Sequence, residues 1–308
     1  MFTNKTTLII PTRNRPFFLK RILSQLKNFN INFKELLIID SSDIKFKKEI
    51  QKITKSFKGK LFNTKPSAAL QRNVGLTHKN KNSRYVMFLD DDIIFKKDSF
   101  INLSKKIYFH EKKKSKVLGY GFNQRKKIKK KLLEVIKKSK ISKILGLYSE
   151  KPGIVMSSGW QTKILNLRQD ILTDWIPTGA VVFSSKILNI KFNENFGAYS
   201  YLEDLDFSLK LRKKNYMNKF LIVANAIFFH PNDIDRMDYN FGKIEMLNRF
   251  LIVKKYKLNK LHFFYMAFIK SLMTILMSIK NKKNLKKFFG NIVGICICLK
   301  KNMSFQSK

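Results

Sequence analysis

Asp90, Asp91 and Asp92 stand side by side behind the apolar run Tyr85-Val86-Met87-Phe88-Leu89, in a chain with 21 acidic residues against 63 basic ones. Adjacent carboxylates repel, and a divalent cation carrying phosphates on its far side relieves that repulsion. The triplet is therefore a candidate metal and nucleotide site, with a solvated acidic turn as the alternative. A second acidic group, Glu203, Asp204 and Asp206, opens a stretch in which Leu202, Leu205, Leu209 and Leu211 recur at helical spacing. Carboxylates at that position face the positive end of a helix dipole. Asp40, His230 and the loop Pro11-Thr12-Arg13-Asn14-Arg15 each follow a short apolar run as well.

These groups can meet only if the elements between them bring their ends together. Thr7-Leu8-Ile9-Ile10, stopped by Pro11, reads as a buried strand entering a loop, and Phe17, Leu19, Ile22, Leu23 and Leu26 then follow a helical period. A strand over 35–39, a helix over 44–57, a short strand at 61–62, a helix over 68–76 and a strand over 85–89 continue the alternation. Such alternation predicts a parallel α/β sheet of the doubly wound kind. Ligands bind those sheets at the carboxyl ends of the strands, where residues 11–15, Asp40 and the triplet all fall. The pattern predicts a single site. Further strand-like text lies at 153–158, 180–183 and 221–229, and a helix is expected over 199–215.

The formal net charge of +42 would ordinarily point to a polyanion, but 53 of the basic residues are Lys and 10 are Arg. Specific phosphate and base recognition leans on the guanidinium fork, so a nucleic-acid role is a weak reading. Residues 112–143 hold 14 Lys or Arg and one acid, Glu134, interleaved with Leu132, Leu133, Val135 and Ile136. This block reads as an exposed basic amphipathic helix or an insertion. Cys296 and Cys298 are the only cysteines, too few for a disulfide framework or a four-ligand zinc site. A reducing compartment fits, and the first 16 residues do not read as a signal peptide.

From Lys243 onward, Phe, Met, Leu and Ile runs alternate with lysine clusters. Residues 261–279 span 19 positions but hold Lys270 at their middle, and 288–299 span 12. A central Lys costs about 3 kcal/mol on insertion scales, and the shorter run cannot cross about 30 Å of hydrocarbon. Helices lying in a membrane interface are expected, ahead of helices packed on the rest of the chain and of a spanning helix.

The segments LIIPTRNR (8–15), LLIIDSS (36–42), ALQRNVG (69–75), FLDDD (88–92) and EDLDF (203–207), in this order, resemble the signature of family 2 glycosyltransferases with the GT-A fold. The resemblance covers about residues 5–250. It implies a Rossmann-like mixed sheet, to which the basic, Phe-rich text beyond it adds a helical, membrane-proximal C-terminal appendage. In that frame 1–240 is the catalytic domain, with a nucleotide-binding half over 1–110, a basic helical insertion over 111–150 and an acceptor-side half over 151–240. Residues 241–308 form the C-terminal helical region.

The resemblance implies roles residue by residue. Pro11, Thr12 and Arg13 meet the nucleotide, and Asp40 accepts the N3 hydrogen of a pyrimidine, a task that suits a carboxylate; capping the next turn is its other reading. Arg72 reaches a phosphate or the ribose, unless it is a surface arginine, and Asn73 braces its loop. Asp92 is the metal ligand and Asp90 the contact to ribose or metal-bound water, while Asp91 belongs to the site only in a shifted register. Mn²⁺ or Mg²⁺ there would neutralise the departing nucleoside diphosphate. His230 completes the metal or diphosphate site, or is structural. Asp204 is the general base and Glu203 its positioning partner. On the acceptor side, Trp175 stacks on a sugar or packs in the core, and Gly179 permits close backbone approach.

These roles describe an inverting, metal-dependent transferase that moves a sugar from a UDP- or dTDP-type donor to a glycan or lipid-linked acceptor in cell-surface polysaccharide synthesis. Its expected place is the cytoplasmic face of the cell membrane, held to the anionic surface by the C-terminal helices. A nucleotidyltransferase of similar fold, a polyanion-binding protein and a non-catalytic membrane scaffold are the rival readings. The short loop after Asp40 and the length of the basic block are departures from the family pattern.

Overall fold

The computed structural model describes residues 1–126, 149–197, 200–231, 238–279 and 281–303. The chain divides into two compact units, one of residues 1–127 and 164–232, the other of 128–163 and 233–308. The boundaries differ from those expected: residues 151–163 go with the C-terminal helices, and the second unit's last segment starts at Asp233.

In the first unit, β1 (Thr6–Thr12), α1 (Pro16–Asn28), β2 (Glu35–Asp40), α2 (Ile44–Ser56), β3 (Lys60–Asn63), α3 (Ala68–His78) and β4 (Tyr85–Leu89) follow the predicted alternation. After them come β5 (Ile94–Phe95), α4 (Ser99–Lys112), β6 (Gly119–Arg125), β7 (Ile171–Thr173), β8 (Ala180–Ser184), α5 (Glu203–Lys214) and β9 (Phe220–Phe229). They form one sheet in the order β3-β2-β1-β4-β8-β6-β9-β5, with β7 also on β9. The four strands up to β4 are parallel, but β8 runs antiparallel to β4 and to β6. The sheet is therefore mixed, as the family resemblance implied, and not the parallel sheet that the alternation alone predicted. An apolar run looks the same in either direction, and only the connections fix its polarity.

β1 and β4 are buried on both faces, from Leu8, Ile9 and Ile10 to Val86, Met87 and Phe88. One face packs Leu8, Ile10, Met87 and Leu89 under Leu19, Ile22 and Leu23 of α1 and Phe100 and Leu103 of α4. On the other, α3 approaches β1 so closely that a Cβ on Gly75 would lie 2.4 Å from Ile9 Cγ2. Glycine at 75 is what lets α3 sit low enough to aim its side chains at the strand ends.

The basic block expected to be helical over 111–150 contains a core strand. β6 lies between β8 and β9, and Gly119 to Asn123 are buried. Cβ atoms on Gly119 and Gly121 would lie 2.7 Å from Phe183 and 2.6 Å from Ile222, so aromatic and β-branched neighbours fill the space that the glycines leave. The flanking lysines mask this strand in a charge count. The rest of the block, 127–148, lies outside the described residues. The stretch 153–158 forms no strand, because Gly153 and Gly159 take φ near +75° and +79° and the chain turns there, leaving one bridge between Val155 and Gln161.

The second unit holds α6 (Tyr239–Lys255), α7 (Lys260–Ser278) and α8 (Lys283–Met303). Glycines bring α6 and α8 into backbone contact: a Cβ on Gly290 would lie 2.0 Å from Tyr239 O, and one on Gly242 2.3 Å from Lys287 O. Small residues four apart, Gly290 and Gly294, let two helices pack without intervening side chains. The turn at 156–160 packs on α6 and α7 through Met156 and Trp160, against Phe250 and Phe263. Gly290→Ala is expected to push the helices apart at a cost of about 1–3 kcal/mol, read as a lower denaturation midpoint of the purified chain. An unchanged midpoint would contradict the contact.

Candidate active site

β4 delivers the aspartate triplet, and the residues around it neutralise it. Asp90 N–H donates to Gly179 O at 2.8 Å, which anchors the triplet to the segment before β8. Asp91 and Asp92 are 4% and 2% exposed, whereas the Asp90 side chain keeps 34%. Arg15 Nη1 lies 2.8 Å from Asp92 Oδ2 and 3.3 Å from Asp91 Oδ1. His230 Nε2, just beyond β9, is 3.0 Å from Asp92 Oδ1, and Arg72 Nη2 is 3.1 Å from Asp90 Oδ1. The Thr12 hydroxyl donates to Asp91 Oδ2 at 2.6 Å.

Burial pushes the Asp91 carboxyl up to about 7, against the pull of the Thr12 hydroxyl and Arg15. Burial acts on Asp92 in the same sense, but the His230 hydrogen bond and charge, with Arg15, outweigh it and hold that carboxyl below its ordinary range. Two neighbours in sequence thus differ in direction: burial raises Asp91, while His230 and Arg15 lower Asp92, and Asp91 also braces the first loop through Thr12.

That loop explains why Arg15 enters the site and Arg13 does not. Asn14 takes φ +56°, a region that Asn tolerates, and its side chain exchanges hydrogen bonds with Asp43 at 2.8 Å each while its N–H donates to Ser42 Oγ at 2.7 Å. The turn sends Arg15 back over the triplet at the head of α1 and leaves Arg13 exposed. Sequence reading placed Arg15 in the loop at the strand ends but gave it no role; its place as the last residue before the helix was the available signal. Pro11 is half-buried and does not stop the strand as expected: β1 runs through it, pairing Pro11 with Ile39 and Thr12 with Asp40.

α3 carries three consecutive buried polar residues, each with a separate task. Gln71 Nε2 donates to Thr12 O at 2.9 Å and Ile39 O at 2.7 Å, tying the ends of β1 and β2. Arg72 reaches Glu203 Oε1 at 2.6 Å as well as Asp90. Asn73 accepts from Phe192 N at 2.7 Å and donates to Glu194 Oε1 at 2.7 Å, bracing the 192–194 segment from within the helix and not a loop of its own. Arg72 is thus no surface arginine, since it is buried and joins two carboxylates.

The turn before α5 is strained. Ser200 and Leu202 take φ of +45° and +74°, rare for residues with a Cβ and costing of order 1–3 kcal/mol each. Ser200 Oγ fastens this turn to α3, accepting from Ala69 N at 3.3 Å and meeting Ser67 Oγ at 3.1 Å. The strain places Glu203 on Arg72 and Asp204 beside it, half-buried, with Asp204 Oδ1 accepting Leu205 N–H at 2.7 Å. Burial raises the Glu203 carboxyl above its ordinary range, opposed by Arg72 and reinforced by Asp204 and Asp90.

Asp40 ends β2 opposite Thr12 of β1 and is 1% exposed. Its Oδ1 accepts Ser42 N–H at 2.9 Å, the turn cap, while its buried Oδ2 has no donor among the described residues. An unsatisfied buried acceptor is costly, and an N–H from a ligand is the chemistry that satisfies it. Gly179 lies against the triplet: a Cβ there would fall 2.6 Å from Asp90 Oδ2. Trp175 is 8% exposed and counts in the core, so packing, not sugar stacking, accounts for it.

A divalent cation fits part of this donor set. Asp92, held ionised, and His230 at 3.0 Å offer one oxygen and one nitrogen, with Asp90 next to them. Among the described residues no group of three or more His, Cys, Asp or Glu could hold a metal by itself. Mg²⁺ and Mn²⁺ sites of this kind take their remaining ligands from substrate phosphates and water.

The family model for glycosyl transferase family 2 matches residues 7–188. Mannosyl-3-phosphoglycerate synthase from Rubrobacter xylanophilus superposes with a TM-score of 0.52 at 11% identity, over 82% of this chain and 75% of that one. Glucosyl-3-phosphoglycerate synthase from Mycobacterium tuberculosis, solved with Mn²⁺, uridine-diphosphate-glucose and phosphoglyceric acid, gives 0.51 at 11% identity, over 82% of this chain and 80% of that one. TarS from S. aureus aligns at 15% identity with a TM-score of 0.48, over 89% of this chain but 43% of that one. No curated protein sequence matches the chain.

Asp91→Asn tests the protonation argument. Folding raises this carboxyl, so its contribution is fully present below the ordinary carboxylate pKa of about 4 and is lost as pH rises through about 7. The Asn variant should therefore gain stability relative to wild type between those pH values in denaturant titrations. A difference constant with pH would refute the assignment.

Proposed function

The chain belongs to glycosyl transferase family 2 and is a glycosyltransferase of the GT-A fold; on that premise we propose that it transfers a sugar from a uridine or deoxythymidine diphosphate sugar with inversion at the anomeric carbon. Membership replaces the nucleotidyltransferase, polyanion-binding and scaffold alternatives. The observation that carries the proposal is the Arg72 bridge. One buried guanidinium holds Asp90 at 3.1 Å and Glu203 at 2.6 Å, so the leaving-group carboxylates and the Glu203-Asp204 pair belong to one connected network.

In this reading the orphan Oδ2 of Asp40 accepts the base N3–H, and Arg15 and Arg72 hold the carboxylates in register. Asp204 takes the proton of the acceptor hydroxyl as that oxygen attacks the anomeric carbon from the face opposite the diphosphate. The bond from the anomeric carbon to the diphosphate oxygen breaks with its electron pair on the nucleotide. A divalent cation held by Asp92 and His230, with Mn²⁺ the better match to imidazole, would supply charge neutralisation for that leaving group. Glu203 and Arg72 position the base. The acceptor is a hydroxyl of a glycan or lipid-linked precursor in cell-surface polysaccharide synthesis.

Donor class is tested by thermal shift with nucleoside diphosphates and their sugars, with and without Mn²⁺. A shift of several degrees confined to one pyrimidine is expected, and Asp40→Asn should weaken it about tenfold in affinity, since the amide presents a second donor to the base. Asp92→Asn and Asp204→Asn should each lower transfer by at least about a hundredfold with the fold intact. Arg72→Lys keeps the charge but loses the fork, and a fall in kcat larger than the rise in KM is expected. Near-normal turnover of the Asp204 variant would remove the mechanism.

A further inference from the structure

The second unit presents an apolar face that no described residue of the unit covers. On α7 and its C-cap, Leu261, Tyr265, Phe268, Leu272, Leu276 and Ile279 recur at steps of three and four, which places them on one side of the helix. All are exposed, Leu261 by 79% and Phe268 by 63%. The opposite side, with Phe263, Ala267, Ser271 and Thr274, is buried. α8 repeats the arrangement, exposing Leu285, Phe289, Ile292 and Leu299 and burying Asn284, Asn291 and Cys298.

By length and composition α7 could cross a membrane, with mean hydropathy 1.4. Its buried side argues against that. Phe263 packs on Phe250 of α6 and on Trp160, and Lys270 contributes, after Lys287 and Arg249, to the cations that hold Glu245 below its ordinary carboxylate range. A spanning helix would abandon these contacts. A helix apolar on its outer side only is suited to lie along a surface.

Charge identifies the surface. From Met246 to Lys308 the sequence has 14 Lys or Arg and no Asp or Glu. Exposed Lys260, Lys282, Lys283, Lys286 and Lys300 stand at the ends of the two helices and along α8. A second copy would bring the same cationic rim and be repelled, whereas anionic headgroups complement the lysines while acyl chains receive Leu, Phe and Ile. We propose that the outer faces of α7 and α8 dock on an anionic lipid bilayer, lying in its interface without crossing it.

The test is sedimentation of the full chain with vesicles of phosphatidylcholine alone and of equimolar phosphatidylcholine and phosphatidylglycerol, at low and high salt. Binding is expected to the anionic vesicles, weakened by salt. The triple variant Leu261→Glu, Phe268→Glu, Leu276→Glu should reduce it by at least about tenfold. All three positions face outward, so its circular dichroism and nucleotide-induced thermal shift should match wild type, which separates failure here from failure of the catalytic reading. A second variant, Lys282→Glu with Lys283→Glu and Lys286→Glu, should lose the preference for anionic lipid. Absence of binding, equal binding to both vesicles, or unchanged binding by the stripe variant would overturn the proposal. So would a dimer in sedimentation velocity that the stripe variant converts to monomer, since the face would then belong to a second copy.

Discussion

Buried carboxylates must be matched by cations, and this condition governs the first unit. Asp91 and Asp92 sit where water cannot solvate them, so Arg15 and His230 close over them and Thr12 takes the remaining oxygen of Asp91. A removed partner would leave an uncompensated buried charge, which costs far more than the pair contributes. The cations come from three elements distant in sequence: the head of α1, the middle of α3 and the end of β9. Neutralising the triplet is therefore also what joins those elements. Arg72 extends the same logic to α5, because its second nitrogen neutralises Glu203.

The scaffold meets this demand through local chemistry that bulk hydrophobicity does not provide. Gly75 lets α3 sink onto β1, Gln71 ties two strand ends together, and the positive φ of Asn14 aims Arg15 inward. The positive φ of Ser200 and Leu202 stores strain next to Glu203 and Asp204, held by Ser67 and Ala69 of the α3 entry. The entry and the middle of α3 thus fix the acidic groups of both segments. Asp40 is the exception. Its second oxygen has no donor among the described residues, and two nearby backbone donors are already used, Ser41 N by Thr12 O and Thr64 N by the Asp40 carbonyl.

The second unit is built on another principle. Glycines 242, 290 and 294 bring helix backbones together, and Phe250, Phe263 and Trp160 form the core, while other large apolar side chains lie outside. Such exposure is costly for a surface in water, since a contiguous apolar patch marks a place of interaction. The lysines beside it determine what kind of surface can satisfy it.

Sequence by itself determined the alternation of β1 to β4, the position of the triplet and Asp40 at strand ends, and the acidic start of α5. Apolar periodicity and chain-breaking residues are local signals, and the ordered motifs identified the family. Sequence also placed His230 just past a strand end, because the apolar run before it is a local signal. Tertiary structure alone decided the antiparallel β8, the strand β6 within a lysine-rich block, the burial of Trp175 and the choice of Arg15 over Arg13. Strand direction depends on connections, and charge composition hides a strand whose packing is made by glycines. Which arginine faces a carboxylate depends on a single backbone dihedral at Asn14, and a residue's type does not reveal the direction in which its chain turns.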